Sequence, residues 1–241
     1  MKQSKFIVCF LAIVIVFSSC SSAKYWTSEV KPFEIHNVLK VEPLSYISFI
    51  EKGNRGKLND SISQKAQMAL GETLDMYRDH LCLSSDEIVI SELFDYRKLE
   101  NEINVLIQSA EKTNDVKKIS IPPSLEFILS GNGKRFGLVV VQDGFLRSPK
   151  NYGNQVTKKF ILGLLAALST GEIDYQDPLI SVSTLYAVIV DNQEKNVAFF
   201  NKSTLQDIDP TDRETFERQI NLLFANYFWE IPDEMQQNDD Y

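Results

Sequence analysis

Histidine and cysteine are nearly absent from this chain, with two of the first and three of the second in 241 residues. That scarcity excludes most nucleophile and metal chemistry. His36 and His80 have no paired cysteine beside them, so no recognisable zinc spacing exists. His80 and Cys82 lie two positions apart, and on a helix such positions point about 200° from each other, which argues against a Cys-His dyad. No Gly-x-Ser-x-Gly elbow supports a serine nucleophile with either histidine. Cys9 and Cys20 belong to the N-terminal leader and its end, Cys82 stands alone, and no intramolecular disulfide is expected.

Basic charge is also short. Residues 1–19 read as a leader, and its removal takes away Lys2 and Lys5, leaving 23 basic against 33 acidic residues, a net charge of −10. The pairs Lys117-Lys118, Lys134-Arg135 and Lys158-Lys159 are isolated in sequence, so nucleic acid is excluded as an expected partner. Glycine is sparse. The one glycine-rich stretch, Gly131 to Gly137, lies after a helix and before a strand, the reverse of a phosphate cradle. Gly131 is expected to end that helix as a left-handed cap. Asp207, Asp209 and Asp212 lack the mid-loop Gly and the terminal Glu of a calcium loop, and Asp209 reads instead as a helix cap. The other carboxylates are scattered. No metal and no cofactor is expected.

What the chain does contain begins with an unbroken apolar run from Phe6 to Phe17, preceded by Lys2 and Lys5. At about 1.5 Å per residue the run reaches roughly 18 Å against a hydrocarbon core of about 30 Å. It is therefore a secretory leader and too short for a lasting span. Phe17-Ser18-Ser19-Cys20 resembles the lipobox of bacterial lipoproteins. The resemblance implies cleavage before Cys20 and acylation of that cysteine, with membrane lipid as the first partner; the competing reading is an ordinary leader with an incidental Cys20. Two or three acyl chains hold a protein durably, at about 0.8 kcal/mol per buried CH₂.

Residues 20–44 lack a clean period and read as a tether, with a short edge strand at Phe33 to Val38. Tyr46 to Ile50 is a strand. Ser61 and Gln64 form a capping box before Ile62, Ala66, Leu70 and Leu74 at helical spacing. Glu87 to Ser91 is a short strand. Leu99, Ile103, Leu106 and Ala110 mark a second helix, and Leu125 to Leu129 a third. Phe136 to Gln142, whose run Leu138 to Val141 is apolar without alternation, predicts a strand covered on both faces. Ser181 to Asp191 and Val197 to Asn201 form a hairpin. Asp209-Pro210 opens a last helix, and 230–241 is an acidic tail. The element order predicts an α/β fold: one domain over 45–229, with a mixed, mostly parallel sheet flanked by helices and a late β-hairpin.

Val156 to Leu168 is the most apolar stretch after the leader. It cannot span a bilayer, and it reads as a core helix, an interfacial helix or a segment that refolds on assembly. Its residues Phe160, Ile161, Leu164, Leu165 and Leu168 are the candidate interaction surface. The element order and the hairpin SxSTLYAVIVDNQEKNVAFFN (Ser181 to Asn201) resemble envelope lipoproteins of the curli-secretion and TolB amino-terminal-like group, which no catalytic motif defines.

Two functions follow as expectations. The first is a non-enzymatic binding or assembly module, lipid-anchored at Cys20 on the outer membrane facing the periplasm, whose partner is another envelope protein or a second copy. The alternative is a carboxylate-based hydrolase or a small-ligand-binding lipoprotein, which would show a deep pocket with two carboxylates of opposed pKa behaviour.

Overall fold

The computed structural model describes residues 25–89, 95–113, 115–158 and 178–229. Its strands are β1 (Trp26–Thr27), β2 (Val38–Val41), β3 (Leu44–Ile50), β4 (Lys57–Leu58), β5 (Leu83–Ile88), β6 (Phe136–Arg147), β7 (Ser181–Asp191) and β8 (Asn196–Gln206). Its helices are α1 (Asp60–Met76), α2 (Tyr96–Lys112), α3 (Pro123–Gly131) and α4 (Arg213–Phe224), and residues 149–158 are also helical. The leader, Cys20 and residues 159–177, which include Phe160, Ile161, Leu164, Leu165 and Leu168, lie outside the described residues, as does the tail 230–241.

All eight strands join one sheet in the order β1-β8-β7-β6-β2-β5, with β3 following β2 along the same flank of β6 and β4 pairing on β3. This is an α/β fold with a mixed sheet, flanking helices and a late hairpin. The sheet is not mostly parallel. The β5-β2, β2-β6 and β3-β6 pairs are parallel, whereas β4 runs antiparallel to β3 and β6-β7-β8 is an antiparallel meander. The cause lies in the link between β6 and β7. Arg147 N donates to Ile180 O, so the chain leaves β6 and enters β7 at the same end of the sheet, and β7 must run back.

The tether expectation also changes. Val38–Val41 is an interior strand between β5 and β6, and Trp26–Thr27 pairs with β8, so the folded body includes both segments. β2 and β3 are two halves of one line along β6, with a one-residue register slip between them around Glu42 and Pro43. Proline has no N–H to give a ladder, which makes that point the natural break.

Alternation along β6 divides the interior. Leu138 and Val140 meet Leu70 and Leu74 of α1 and Phe216 and Ile220 of α4 on one face. Val139 and Val141 meet Leu99, Ile103 and Leu106 of α2 and Leu129 of α3 on the other. The unbroken apolar run of this strand is thus explained by two covered faces.

Helix ends differ in detail from the expectation. Asn59 caps α1, its Oδ1 accepting from Ile62 N at 3.0 Å, and Ser61 is already helical. α3 closes with Lys134 N on Leu129 O and Gly133 N on Ser130 O, a Schellman pattern whose left-handed residue is Gly133 (φ 62) rather than Gly131. α4 starts after Asp212; Asp209 holds the preceding turn, with Oδ1 accepting from Thr211 N and Oγ1 at 2.8 Å each.

The hairpin turn is built on Asp191, which is fully buried. Its carboxylate accepts from Arg135 Nη2 at 2.8 Å and from Gln193 N at 2.8 Å. The turn ends on Lys195 at φ 56, a conformation costing a non-glycine residue about 1–2 kcal/mol. Lys195→Gly gives up two exposed contacts of its ammonium, with Glu126 and with Asn192 Oδ1, worth together at most about 1 kcal/mol. The expected result is a net gain of about 0.5–1 kcal/mol, read as a raised urea midpoint with an unchanged slope.

Candidate interaction site

Two buried amides and two lysines of this body are engaged in holding it together. Gln142 on β6 is fully buried, accepts from Ser45 Oγ at 2.6 Å and donates to Ser183 Oγ at 2.9 Å and Pro210 O at 2.7 Å. Gln219 on α4 is equally buried and donates to Ser183 O at 2.9 Å. Together they tie β3, β6 and β7 to α4 and the turn before it. Buried amides satisfied in this way specify one packing and offer no reactive atom.

Lys40 on β2 is 1% exposed, and its Nζ lies 2.8 Å from Asp75 Oδ1 and 3.0 Å from Glu87 Oε1. Lys134 is matched by Asn37 Oδ1 at 2.7 Å and Asp86 Oδ2 at 3.0 Å. Partial burial pushes the Asp75 carboxyl up, but the hydrogen bond and charge of Lys40, joined by those of Arg78, outweigh it and hold Asp75 below the usual carboxylate range.

The residues weighed for catalysis are not assembled. His80 and Cys82 sit in the turn beyond α1 rather than on a helix; the His80 ring meets Tyr77 and Trp229, and Cys82 is exposed at φ 52. Asp207 Oδ1 accepts from Ile180 N at 2.7 Å, fastening the start of β7. Among the described residues, no group of three His, Cys, Asp or Glu is placed to hold a metal.

Two hollows bear on function. One, of about 310 Å³, lies over the sheet beside Ser48, Ile50, Phe145, Val182 and Asp143, its one carboxylate among the described lining residues. Loss of surrounding water pushes Asp143 above its ordinary value, opposed by the Gly144 N–H and aided by Glu111. Nearby Tyr186 is pushed up to about 12, chiefly by burial and then by Glu111 and Asp143. A single carboxyl with no opposed partner among the described lining residues does not make an acid/base pair.

The other hollow is an open cleft of about 850 Å³ between α2 and the segment 118–123. Val105, Leu106, Ile119, Ile121, Pro122 and Pro123 give it an apolar floor, and Lys98, Glu102 and Lys118 give it a charged rim. Val105 is 62% exposed, and Phe127 on neighbouring α3 is 80% exposed. An apolar floor with a polar rim is the anatomy of a protein-binding surface. Sequence periodicity places Leu106 on the buried stripe of α2, but nothing local tells that Ile119 to Pro123 lies opposite Val105.

No family model and no curated protein matches this chain. Among solved structures it is similar to the PelC dodecamer from Paraburkholderia phytofirmans, at 8% identity and a TM-score of 0.36 over 87% of this chain and 97% of that one. A point variant of the same dodecamer is 10% identical, with a TM-score of 0.34 over 83% and 93% of the two chains. At that level the likeness assigns neither family nor activity.

Proposed function

We propose that this protein is an exported bacterial lipoprotein, anchored by acyl chains on Cys20 to the periplasmic face of the outer membrane, and that its body is a non-enzymatic binding or assembly module. Its partner is another envelope protein or a second copy. The lipobox-like Phe17-Ser18-Ser19-Cys20 supports the anchor, and the resemblance of the hairpin to the curli-secretion and TolB amino-terminal-like group supports the envelope setting. The observation that carries the binding role is the open apolar cleft along α2, set in a body whose buried Gln142 and Lys40 are committed to structural bonds.

Crosslinking in intact cells, followed by mass spectrometry of the membrane fraction, tests the reading. The Cys20 peptide is expected to carry diacylglycerol, and a discrete adduct with one partner or with a second copy is expected. Val105→Glu places a charge against the apolar floor at a cost of about 1–3 kcal/mol, so that adduct is expected to fall about tenfold or more while the fold persists. An unmodified Cys20 overturns the anchor, and a solitary lipidated monomer overturns the binding role.

A further inference from the structure

Three cations crowd the β3–β4 turn of a chain whose net charge is −8. Lys52, Arg55 and Lys57 follow one another closely, and every residue from Glu51 to Leu58 is exposed, so the turn projects from the body. It is fastened to the residues at the end of β6. Ser148 N donates to Ile50 O at 3.0 Å, Asn151 Nδ2 to Gly53 O at 3.0 Å and Arg147 Nη1 to Gly53 O at 2.7 Å. Exposed Lys150 stands between Ser148 and Asn151 and adds its charge to the group. Arg147 is buried, and among the described residues it donates only to the neutral oxygens of Gly53, Asn54 and Leu179, so its charge goes unanswered as well.

Exposed cations in other parts of the body are answered. Lys98, Lys117, Lys118, Lys195, Lys202 and Arg213 each pair with a carboxylate. Lys52, Arg55, Lys57 and Lys150 pair with none among the described residues, although Glu51, Asp60, Asp143 and Asp207 share this end of the sheet. Asp207 Oδ1 is turned to Ile180 N. A pinned turn holds its charges in place before any partner arrives, which lowers the ordering cost of contact.

The form of the patch suits a flat partner with many anions. One phosphate would reach one or two of these cations, whereas a bilayer surface reaches all of them. Apolar tips stand among the charges: Leu58, next to Lys57, is 56% exposed, and Ile180, whose O accepts from Arg147 N, is 38% exposed. Phosphates with acyl chains just beneath them match that mixture.

We propose that this end, built on the β3–β4 turn and Lys150, is a docking surface for an anionic phospholipid bilayer. The setting rests on the anchor of the proposed function, which keeps the body beside a membrane. Docked in this way, the sheet stands with the end of β6 toward the lipid, and the Asp191–Lys195 turn, at the other end of the β6-β7 pair, points away.

The test uses the full-length exported protein in a Cys82→Ser background, inserted through its own acyl chains into vesicles. The vesicles are phosphatidylcholine alone or an even mixture with phosphatidylglycerol, each with a spin label on a fraction of the headgroups. A fluorophore on Asn54→Cys reports the turn, and one on Gln193→Cys reports the opposite end. Each cation beside an anionic bilayer favours contact about fivefold, so quenching at residue 54 is expected to rise about threefold or more with phosphatidylglycerol while residue 193 stays unquenched. The rise is expected to vanish in about 1 M salt, where the Debye length is about 3 Å. It is also expected to vanish in the variant Lys52→Glu, Arg55→Glu, Lys57→Glu, whose unchanged urea midpoint shows that the fold is kept. Quenching at residue 54 that ignores lipid charge, that survives salt or charge reversal, or that never appears would overturn the proposal; so would equal quenching at residue 193. The acyl mass on the Cys20 peptide and flotation with phosphatidylcholine vesicles report the anchor by themselves, so a failed anchor and a failed docking surface are told apart.

Discussion

Asp75→Ala combined with Glu87→Ala is expected to lower stability by about 3 kcal/mol, although neither residue belongs to the apolar core. The two carboxylates are the ion-pair partners of Lys40, whose side chain is 1% exposed. Removing them leaves an ammonium in a site that water enters poorly, and stranding a buried charge costs about 3–5 kcal/mol. The lower figure applies because Asp75 and Glu87 are themselves 44% and 34% exposed, so their loss opens a path for water. Adding Lys40→Met to the double variant replaces the charge with an apolar chain of similar length and is expected to restore most of the loss. Urea unfolding of the three proteins checks this; a double variant as stable as the wild type would mean that Lys40 reaches solvent.

The same cluster sets an acid limit. Asp75 is held below its ordinary value in the folded protein, so its contribution is fully present above the unfolded pKa of about 3.9 and is lost as pH falls through the folded value. Lys40→Met removes the first of the partners that hold it down. The wild type is therefore expected to lose stability more steeply than Lys40→Met below about pH 4, with the two curves parallel above pH 5.

Lys40 also shows where sequence reading stops. Val38-Leu39-Lys40-Val41 falls in the stretch read as tether, where polar and apolar residues mix without a clean period. The compensating charges lie 35 and 47 residues away, on α1 and β5, and no local pattern announces them. Local periodicity did reveal α1 and α2, whose apolar stripes at three and four residue spacing are the faces they bury. It revealed the centre of β6 as well, because an apolar run without alternation has one explanation in a flanked sheet. The direction of β7 was hidden, since it depends on Arg147 meeting Ile180 across a link that sequence cannot close. The cleft was hidden for a related reason: half of it is α2, which is legible, and half is an irregular segment whose position is tertiary.

Gly144→Ala is expected to cost about 3 kcal/mol or more, the largest effect of any single substitution proposed for this protein. The sequence reading ends this strand at Gln142. Instead β6 runs on to Arg147, with Gly144 opposite Ser183. A Cβ at Gly144 would fall far inside contact distance of the Val182 carbonyl oxygen, and that atom belongs to a neighbouring strand rather than to a flexible side-chain tip. The clash is relieved only by separating β6 from β7 at this pair, and overpacking of this kind costs about 1–3 kcal/mol, occasionally more. The loss then spreads to bonds that depend on close strands: Arg147 N on Ile180 O, and the Arg147 side chain on Leu179 O and Gly53 O. Hydrogen exchange is expected to quicken at Arg147 and neighbouring amides at that end, while Leu138 and Val140 keep their protection. Gly153→Ala is the control. It lies in the helical residues 149–158, a Cβ there meets nothing within 4 Å, and alanine favours a helix by about 0.5–1 kcal/mol. Opposite signs for the two glycines would locate the cost in the approach of β7 to β6; equal and small effects would show that the strands part easily at Gly144, so that the sheet ends in function near Gln142, as the sequence alone suggests.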